Sequence, residues 1–306
     1  MMSDSRFEFV THDASASEHI AAPSYSYWRS VSRQFFGKKL TVFLLIVIVL
    51  LSLIALIQPA LSGYDPMISP NINNPEMRFL GISFQYPYGT DGVGSSVWDV
   101  VWAGTRTSLL VGFIVTGVNT FIGVLVGAIW GFSKAIDKVM LEIYNIISSV
   151  PYILIVTVLL YAFGRGFWQL VLAMCLTGWL GTAYFIRTQV MIIRDREYNL
   201  ASKCLGTPTL RLVTRNILPY LLSVVMTSVS LEIPAAISTE VTLSFLGIGL
   251  NVSIPSLGRM INQYSNYFNG YPHLFWAPVL TLAVVTVSLY VIGQALADAS
   301  DPRTHM

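Results

Sequence analysis

The sequence predicts an all-α polytopic membrane protein with six transmembrane helices. Composition is the first ground: hydrophobic residues make up 54% of the 306, charged residues 11%, and mean hydropathy is +0.63. A soluble domain carries about a quarter charged residues. The second is that uncharged runs of about 20 residues, enough to cross a bilayer, recur between shorter polar connections. The third is the sorting of positive charge. With six spans, 14 of the 18 Lys and Arg fall on the side of the N-terminus, and Arg78, Arg106, Arg165 and Arg259 fall opposite. Cytoplasmic loops carry such an excess, so both termini are expected in the cytoplasm of a multi-pass protein.

Residues 1–24 are polar, mixed in charge and rich in Ser and Ala, and read as a loosely ordered tail. From Tyr25 to Lys39 the pattern changes. Trp28, Val31, Phe35 and Phe36 recur at three- and four-residue steps among Arg29, Arg33, Lys38 and Lys39, which suits either an interfacial helix or a basic flank of the first span. Residues 1–39 are therefore taken as a cytoplasmic tail and interfacial segment, 40–299 as the transmembrane domain and 300–306 as a cytoplasmic tail. Leu40 to Gln58 is the first span. It lies too far from the N-terminus to be a cleaved signal and is expected to be retained.

Tyr64 to Arg106 is a long outer connection containing Pro66, Pro70, Pro75 and Pro87. Gly89, Gly92 and Gly94 permit tight turns there, and Thr90 or Asp91 could cap a helix. The second span follows between Arg106 and Lys134. Its Gly123, Gly127 and Gly131 stand four apart, so one face has no side chains and another helix can approach closely. Lys134 and Lys138 mark a cytoplasmic turn. Ile143 to Gly164 crosses outward with a kink at Pro151, Gly164-Arg165-Gly166 turns, and Phe167 to Ile186 returns with Trp168 and Trp179 near opposite ends as interfacial anchors.

Arg187 to Pro219 is basic and helix-forming, with Arg187, Arg194, Arg196, Lys203, Arg211 and Arg215. Gly206 ends a first short helix and Pro208 can only start a second. A helix-turn-helix hung between two spans on the basic side is shaped to meet another protein, and residues 190–218 are taken as a coupling loop. Tyr198, Leu200, Ala201, Cys204 and Leu205 offer an apolar contact face, flanked by Glu197 and Thr207. Ala201, Ser202 and Gly206 keep the loop slim.

The fifth span, from Tyr220, carries Glu232, Pro234 and Glu240 among Ser228, Ser230, Ser238, Thr239 and Thr242. A carboxylate at membrane depth faces a bundle interior or a water-filled path. Glu232, Ser238, Thr239 and Glu240 are accordingly candidates to line a passage. The other reading is that the two acids make structural hydrogen bonds to neighbouring spans. Leu250 to His273 is an outer connection, and Leu274 to Ala297 is the last span.

No catalytic residue or metal ligand set emerges. Cys175 and Cys204 are too few for a disulfide framework and stand near no His cluster. No Ser/His, His-pair or paired-Asp arrangement lies in the spans, and His273 is alone at an outer edge. The chain contains no Gly-x4-Gly-Lys-Ser/Thr loop, so it binds no nucleotide cofactor by that device. No nucleic-acid partner is expected.

Several stretches carry a resemblance. In the coupling loop Leu200, Ala201 and Ser202 stand where importer permeases have Glu-Ala-Ala. Gly206 stands at the Gly that follows, and Asn216-Ile217-Leu218-Pro219 closes the pattern. The stretch GTDGVG is followed by Gly104, Arg106 and Ser108, with Ser95 and Ser96 replacing the usual Arg-Asp. STEVTLSFLGIGL is followed by IPSLGRM, and ASDPR lies at the end. Over residues 40–303 the chain resembles the second membrane subunit of oligopeptide and dipeptide ABC importers, and SYSYWRSVSRQF and LASKCLGTPT look like their Gram-positive branch.

The resemblance implies a type I importer permease fold with cytoplasmic coupling helices in the bacterial plasma membrane. It also implies a homologous second permease subunit and two nucleotide-binding ATPase subunits that hold the ATP and Mg. A lipid-anchored extracellular peptide-binding protein would dock near residues 64–105 and 250–273. A dipeptide or nickel permease is an alternative within the family. Outside it, the alternative is a proton-coupled secondary transporter using Glu232 and Glu240 as its relay, a reading that leaves the coupling loop unexplained.

Overall fold

In hydrocarbon the only open-ended way for a chain to satisfy its own backbone is the α-helix. The computed structural model of the chain describes residues 27–68 and 71–300 and is helical through all its apolar runs. The tail expected over 1–24 and the terminal Asp301-Pro302-Arg303 lie outside the described residues. Helix α1 (Tyr27–Gly37) is divided from α2 (Lys39–Leu61) at Lys38, whose backbone is extended. Lys38 donates to Asp298 at 2.8 Å, near the end of the last helix, α11 (Pro272–Ser300), against which α1 packs.

The centre of the bundle is α3 (Val97–Phe132) against α6 (Phe167–Arg194). The glycine triplet makes this pair possible. A methyl group placed on Gly127 would stand 2.4 Å from the carbonyl oxygen of Ala183, and one on Gly131 would stand 2.7 Å from that of Arg187. Backbone therefore lies directly against backbone, as the four-residue spacing predicts. Because α6 runs on to Arg194, Trp179 sits near its middle. Only Trp168 occupies an end, so Trp179 does not pair with it at the opposite terminus.

The third crossing departs further from expectation. In place of one kinked helix there are two, α4 (Lys134–Ser148) and α5 (Tyr152–Phe163), bent by 81°. Pro151 has no N–H to continue the ladder, and it drives Val150 out of the helical region. Ser149 closes α4 by donating its N–H to Asn145. Among the described residues five helices are long and apolar enough to cross a membrane, and the broken pair makes a sixth crossing if counted as one span.

Beyond α6 come α7 (Glu197–Cys204) and then α8 (Thr209–Leu212), which is not the free-standing second helix of a helix-turn-helix. It runs through a π-helical turn, Val213–Ile217, straight into α9 (Leu218–Phe245). Pro219 lacks the N–H that would bond to residue 215, and widening the turn accommodates that loss. The connection from 250 to 273 also contains a helix, α10 (Leu257–Ser265), with Leu257 and Tyr264 buried beneath it.

Three apolar clusters follow one another down the bundle. Val97, Val101, Leu257, Tyr264 and Leu274 form the first, at the loop-rich end; Val111, Val115, Leu160 and Met174 the second; Ile186, Val190, Val213 and Ile217 the third, at the basic end. Above the first cluster, Asp91 does not cap a helix. Its Oδ1 accepts from the N–H groups of Val93 (3.0 Å) and Ser95 (2.9 Å) in the turn before α3, and Tyr264 donates to Oδ2 at 3.4 Å. Thr90 is used in the same turn, donating to Met77 O and accepting from Leu80 N–H. Burial pushes the Asp91 carboxyl above the usual carboxylate range and raises the Tyr264 hydroxyl well above its ordinary value.

Candidate functional site

Two places in the bundle gather the sequence's candidates: the knuckle around α7 at the basic end, and a cavity halfway along the bundle.

The knuckle begins where α6 stops. Asp195 and Arg196 leave the helical region, α7 forms over eight residues, and Gly206 ends it with φ +80°. Thr207 N–H bonds to Ser202 O at 3.1 Å and Gly206 N–H to Lys203 O at 3.0 Å. That pairing is a Schellman cap, which requires a left-handed residue at the glycine position. Glu197, Tyr198, Leu200, Ala201, Cys204, Leu205 and Gly206 are exposed, and Ser202 and Thr207 half-buried. Leu205 is 86% exposed at the tip. Leu205 thus presents an apolar tip on a slim, polar-flanked helix.

The rear of the knuckle is fixed by Asn199, which the sequence reading passed over, and by basic residues that it assigned to the loop as a whole. Asn199, 2% exposed, donates to Ile193 O at 3.0 Å and accepts from Asn216 Nδ2 at 3.2 Å, tying α7 to the end of α6 and to the π-helical turn. Arg194 donates to Gly131 O at 2.9 Å, and Lys203 lies 5.8 Å from the Phe132 ring centre. Arg187 belongs to α6, not to the loop. It pairs with Asp137 of α4, one of the two bonds spanning 3.0 Å, and Trp130 Nε1 donates to the same carboxylate at 2.8 Å. The guanidinium also lies 5.5 Å from the ring centres of both Trp130 and Tyr184. An arginine so held joins α3, α4 and α6 just above the knuckle. The one hint in the sequence is spacing, since Trp130, Asp137 and Tyr144 stand seven apart and Tyr184 and Arg187 three apart.

Asn199→Ala removes both of the asparagine's bonds from a buried position, a loss of about 1–3 kcal/mol. Hydrogen exchange across Glu197–Cys204 is expected to quicken about tenfold or more while the spans keep their protection. Unchanged exchange would show that the asparagine does not hold the knuckle.

The second place is a cavity of ≈ 420 Å³ between α3, the α4–α5 break, α6 and α9. Glu232 and Thr239 line it; Ser238 and Glu240 do not. Thr120 donates to Glu232 Oε2 at 3.1 Å and Thr182 donates to Oε1, so the carboxylate links α3, α6 and α9 at mid-bundle. Glu240 is 0% exposed and accepts from Ser108 (2.7 Å) and Ser244 (2.8 Å), linking α9 to the N-terminal half of α3. Ser238 lies on an exposed face of α9 and donates to Pro234 O at 2.8 Å. Both acids thus make bonds between or within spans. Glu232 alone also borders open space.

Residues 119–306 match the family described as the inner membrane component of binding-protein-dependent transport systems, and residues 26–81 match the N-terminal transmembrane domain of oligopeptide transport permease C. The chain is 49% identical over 300 residues to the oligopeptide transport system permease protein AmiD of Streptococcus pneumoniae (strain ATCC BAA-255 / R6), covering 98% of this chain and 97% of that protein. It is 32% identical to the oligopeptide permease protein OppC of Bacillus subtilis (strain 168), over 97% of this chain and 96% of the other. To the dipeptide permease protein DppC of the same organism it is also 32% identical, over 94% and 89%.

Proposed function

Since the chain belongs to the binding-protein-dependent inner-membrane family of ABC transporters, and is an oligopeptide or dipeptide permease subunit of type I fold and not an enzyme, we propose that it is half of an oligopeptide passage driven through α7 by separate ATPase subunits. The exposed apolar knuckle, anchored from behind by Asn199, carries this reading. A helix that slim fits a groove on a nucleotide-binding subunit. Its anchorage through Arg194 and Asn199 makes it move as one body with α6 and α9. Closure of two ATPase subunits around ATP and Mg would carry Ala201–Gly206 with them and rock the spans, opening the passage to the side of the binding protein.

The positive-charge count supports a cytoplasmic knuckle and cytoplasmic termini in a bacterial plasma membrane. One chain supplies one wall, so a homologous second permease subunit completes the passage. A lipid-anchored peptide-binding protein would dock over residues 64–105 and α10. The oligopeptide cargo is favoured over dipeptide by the 49% identity to the oligopeptide permease protein AmiD. The secondary-carrier alternative has no support from family membership.

The test is reconstitution. The purified chain alone is expected to hydrolyse no ATP. In liposomes with the second permease subunit, two ATPase subunits and the binding protein, peptide uptake is expected only with ATP. Uptake that follows a proton gradient without ATP would overturn the reading.

A further inference from the structure

The mid-bundle cavity has an unusual charge inventory. Among the described residues Glu232 is its only acid, and no Lys, Arg or His lines it. A carboxylate offers about four acceptor positions. Thr120 and Thr182 take one on each oxygen, which leaves about two without a partner among the described residues. A negative charge in an otherwise neutral, low-dielectric cavity draws a cation far more strongly than it would in water.

A second acceptor lines the same cavity. Asn119 precedes Thr120 on α3, and a methyl group on Gly178 of α6 would stand 2.5 Å from the Asn119 amide nitrogen. Gly178 is one helical turn before Thr182, so Asn119 lies within a turn of the Glu232 carboxylate on both helices. Asn119 is 8% exposed and its Oδ1 has no hydrogen-bond partner. Thr116, one turn earlier on α3 and 2% exposed, has an unpartnered Oγ1, as does Thr177 on α6. All three residues line the same cavity. Unpaired buried polar groups are costly at membrane depth, and a ligand bringing several donors would relieve them.

We propose that this cavity is a docking point for a primary ammonium group, the free amino end of a peptide, with Glu232 as its counter-ion and Asn119 as a second acceptor. The site rests on the reading of the chain as half of a peptide passage. An ammonium carries one positive charge and three N–H donors, and so matches one carboxylate with neighbouring neutral acceptors. A peptide carboxylate does not match, because it would meet Glu232 and no cation. A divalent metal does not match either: no group of three His, Cys, Asp or Glu that could hold one occurs among the described residues.

The probe is a fluorescent tetraalanine and its N-acetylated twin, measured by anisotropy on the assembled transporter in nanodiscs without the binding protein. The free-amino peptide is expected to bind about tenfold or more tightly than the acetylated one. Glu232→Gln should bring the free-amino peptide's affinity down to that of the acetylated one. Glu232→Asp should restore part of the preference, which a purely structural role for the acid would not produce. Equal affinities in the wild type, or a preference that survives Glu232→Gln, would overturn the site. If ATP-driven uptake with the binding protein stays intact in that case, only the ammonium site falls. If neither peptide binds and no ATP-driven uptake occurs, the passage reading falls with it.

Discussion

Replacing Gly206 with leucine is expected to leave the chain inserted and assembled while peptide uptake per ATP hydrolysed falls about tenfold or more. The glycine sits at φ +80°, where an L side chain is strained whatever room surrounds it, and there is indeed open space around the position. The left-handed conformation costs a β-carbon residue about 1–2 kcal/mol. That is comparable to the worth of the two capping bonds it serves, from Thr207 N–H to Ser202 O and from Gly206 N–H to Lys203 O. The substituted chain relieves the strain by releasing the cap, and the apolar tip at Leu205 then loses its fixed direction. Nothing in the spans touches Gly206, so insertion and packing should survive. Asparagine tolerates the left-handed region better than other residues, so Gly206→Asn should keep most of the coupling. Measuring uptake and ATP hydrolysis on the same liposomes separates coupling from assembly. Wild-type uptake per ATP in the leucine variant would mean that the knuckle is not the transmission.

Local chemistry was legible at two points in particular. Gly206 before Thr207-Pro208 marked the end of α7, and the four-residue glycine pitch marked a face of α3 open to close approach, without naming α6 as the partner. Other features depend on residues far apart in the chain. Ser108 meets Glu240 and Thr182 meets Glu232 across distances in sequence that no local pattern reveals. Pro151 announced a kink, but an 81° break needs the neighbouring helices that line the cavity beside it. Periodicity could have sorted the α9 candidates in advance. Glu232, Ala235, Ala236 and Thr239 stand at i, i+3, i+4 and i+7, one face of a helix, and all line the cavity. At about 100° per residue, Glu240 is turned about 80° away and Ser238 about 120°. Reading the polar residues of this span as one set hid that division.

The glycine contact between α3 and α6 predicts the largest loss of stability. Gly127→Val would place Cβ 2.4 Å from Ala183 O, 2.9 Å from Ile186 Cβ and 3.0 Å from Ala183 C. Two of these neighbours are backbone atoms of a buried helix and cannot step aside as a flexible side chain could. The helices must separate, and the separation is shared by everything fixed to the seam. Gly123 against Thr182 lies one turn away on one side and Gly131 against Arg187 one turn away on the other. Parting them also pulls Arg194 from Gly131 O and Thr182 from Glu232, bonds that hold the knuckle and border the cavity. Overpacking of a close core costs about 1–3 kcal/mol by itself, and with these linked contacts the loss should reach about 4 kcal/mol. The expected result is a chain that inserts but is recovered as a monodisperse species at a small fraction of the wild-type yield, with its melting temperature lowered by several degrees. Gly117→Val is the control, because a β-carbon there meets nothing within 4 Å. It should cost only helix propensity and melt close to the wild type. Equal melting of the two variants would show that α3 and α6 are not held together by backbone approach, and the anchorage of α7 would then need another support.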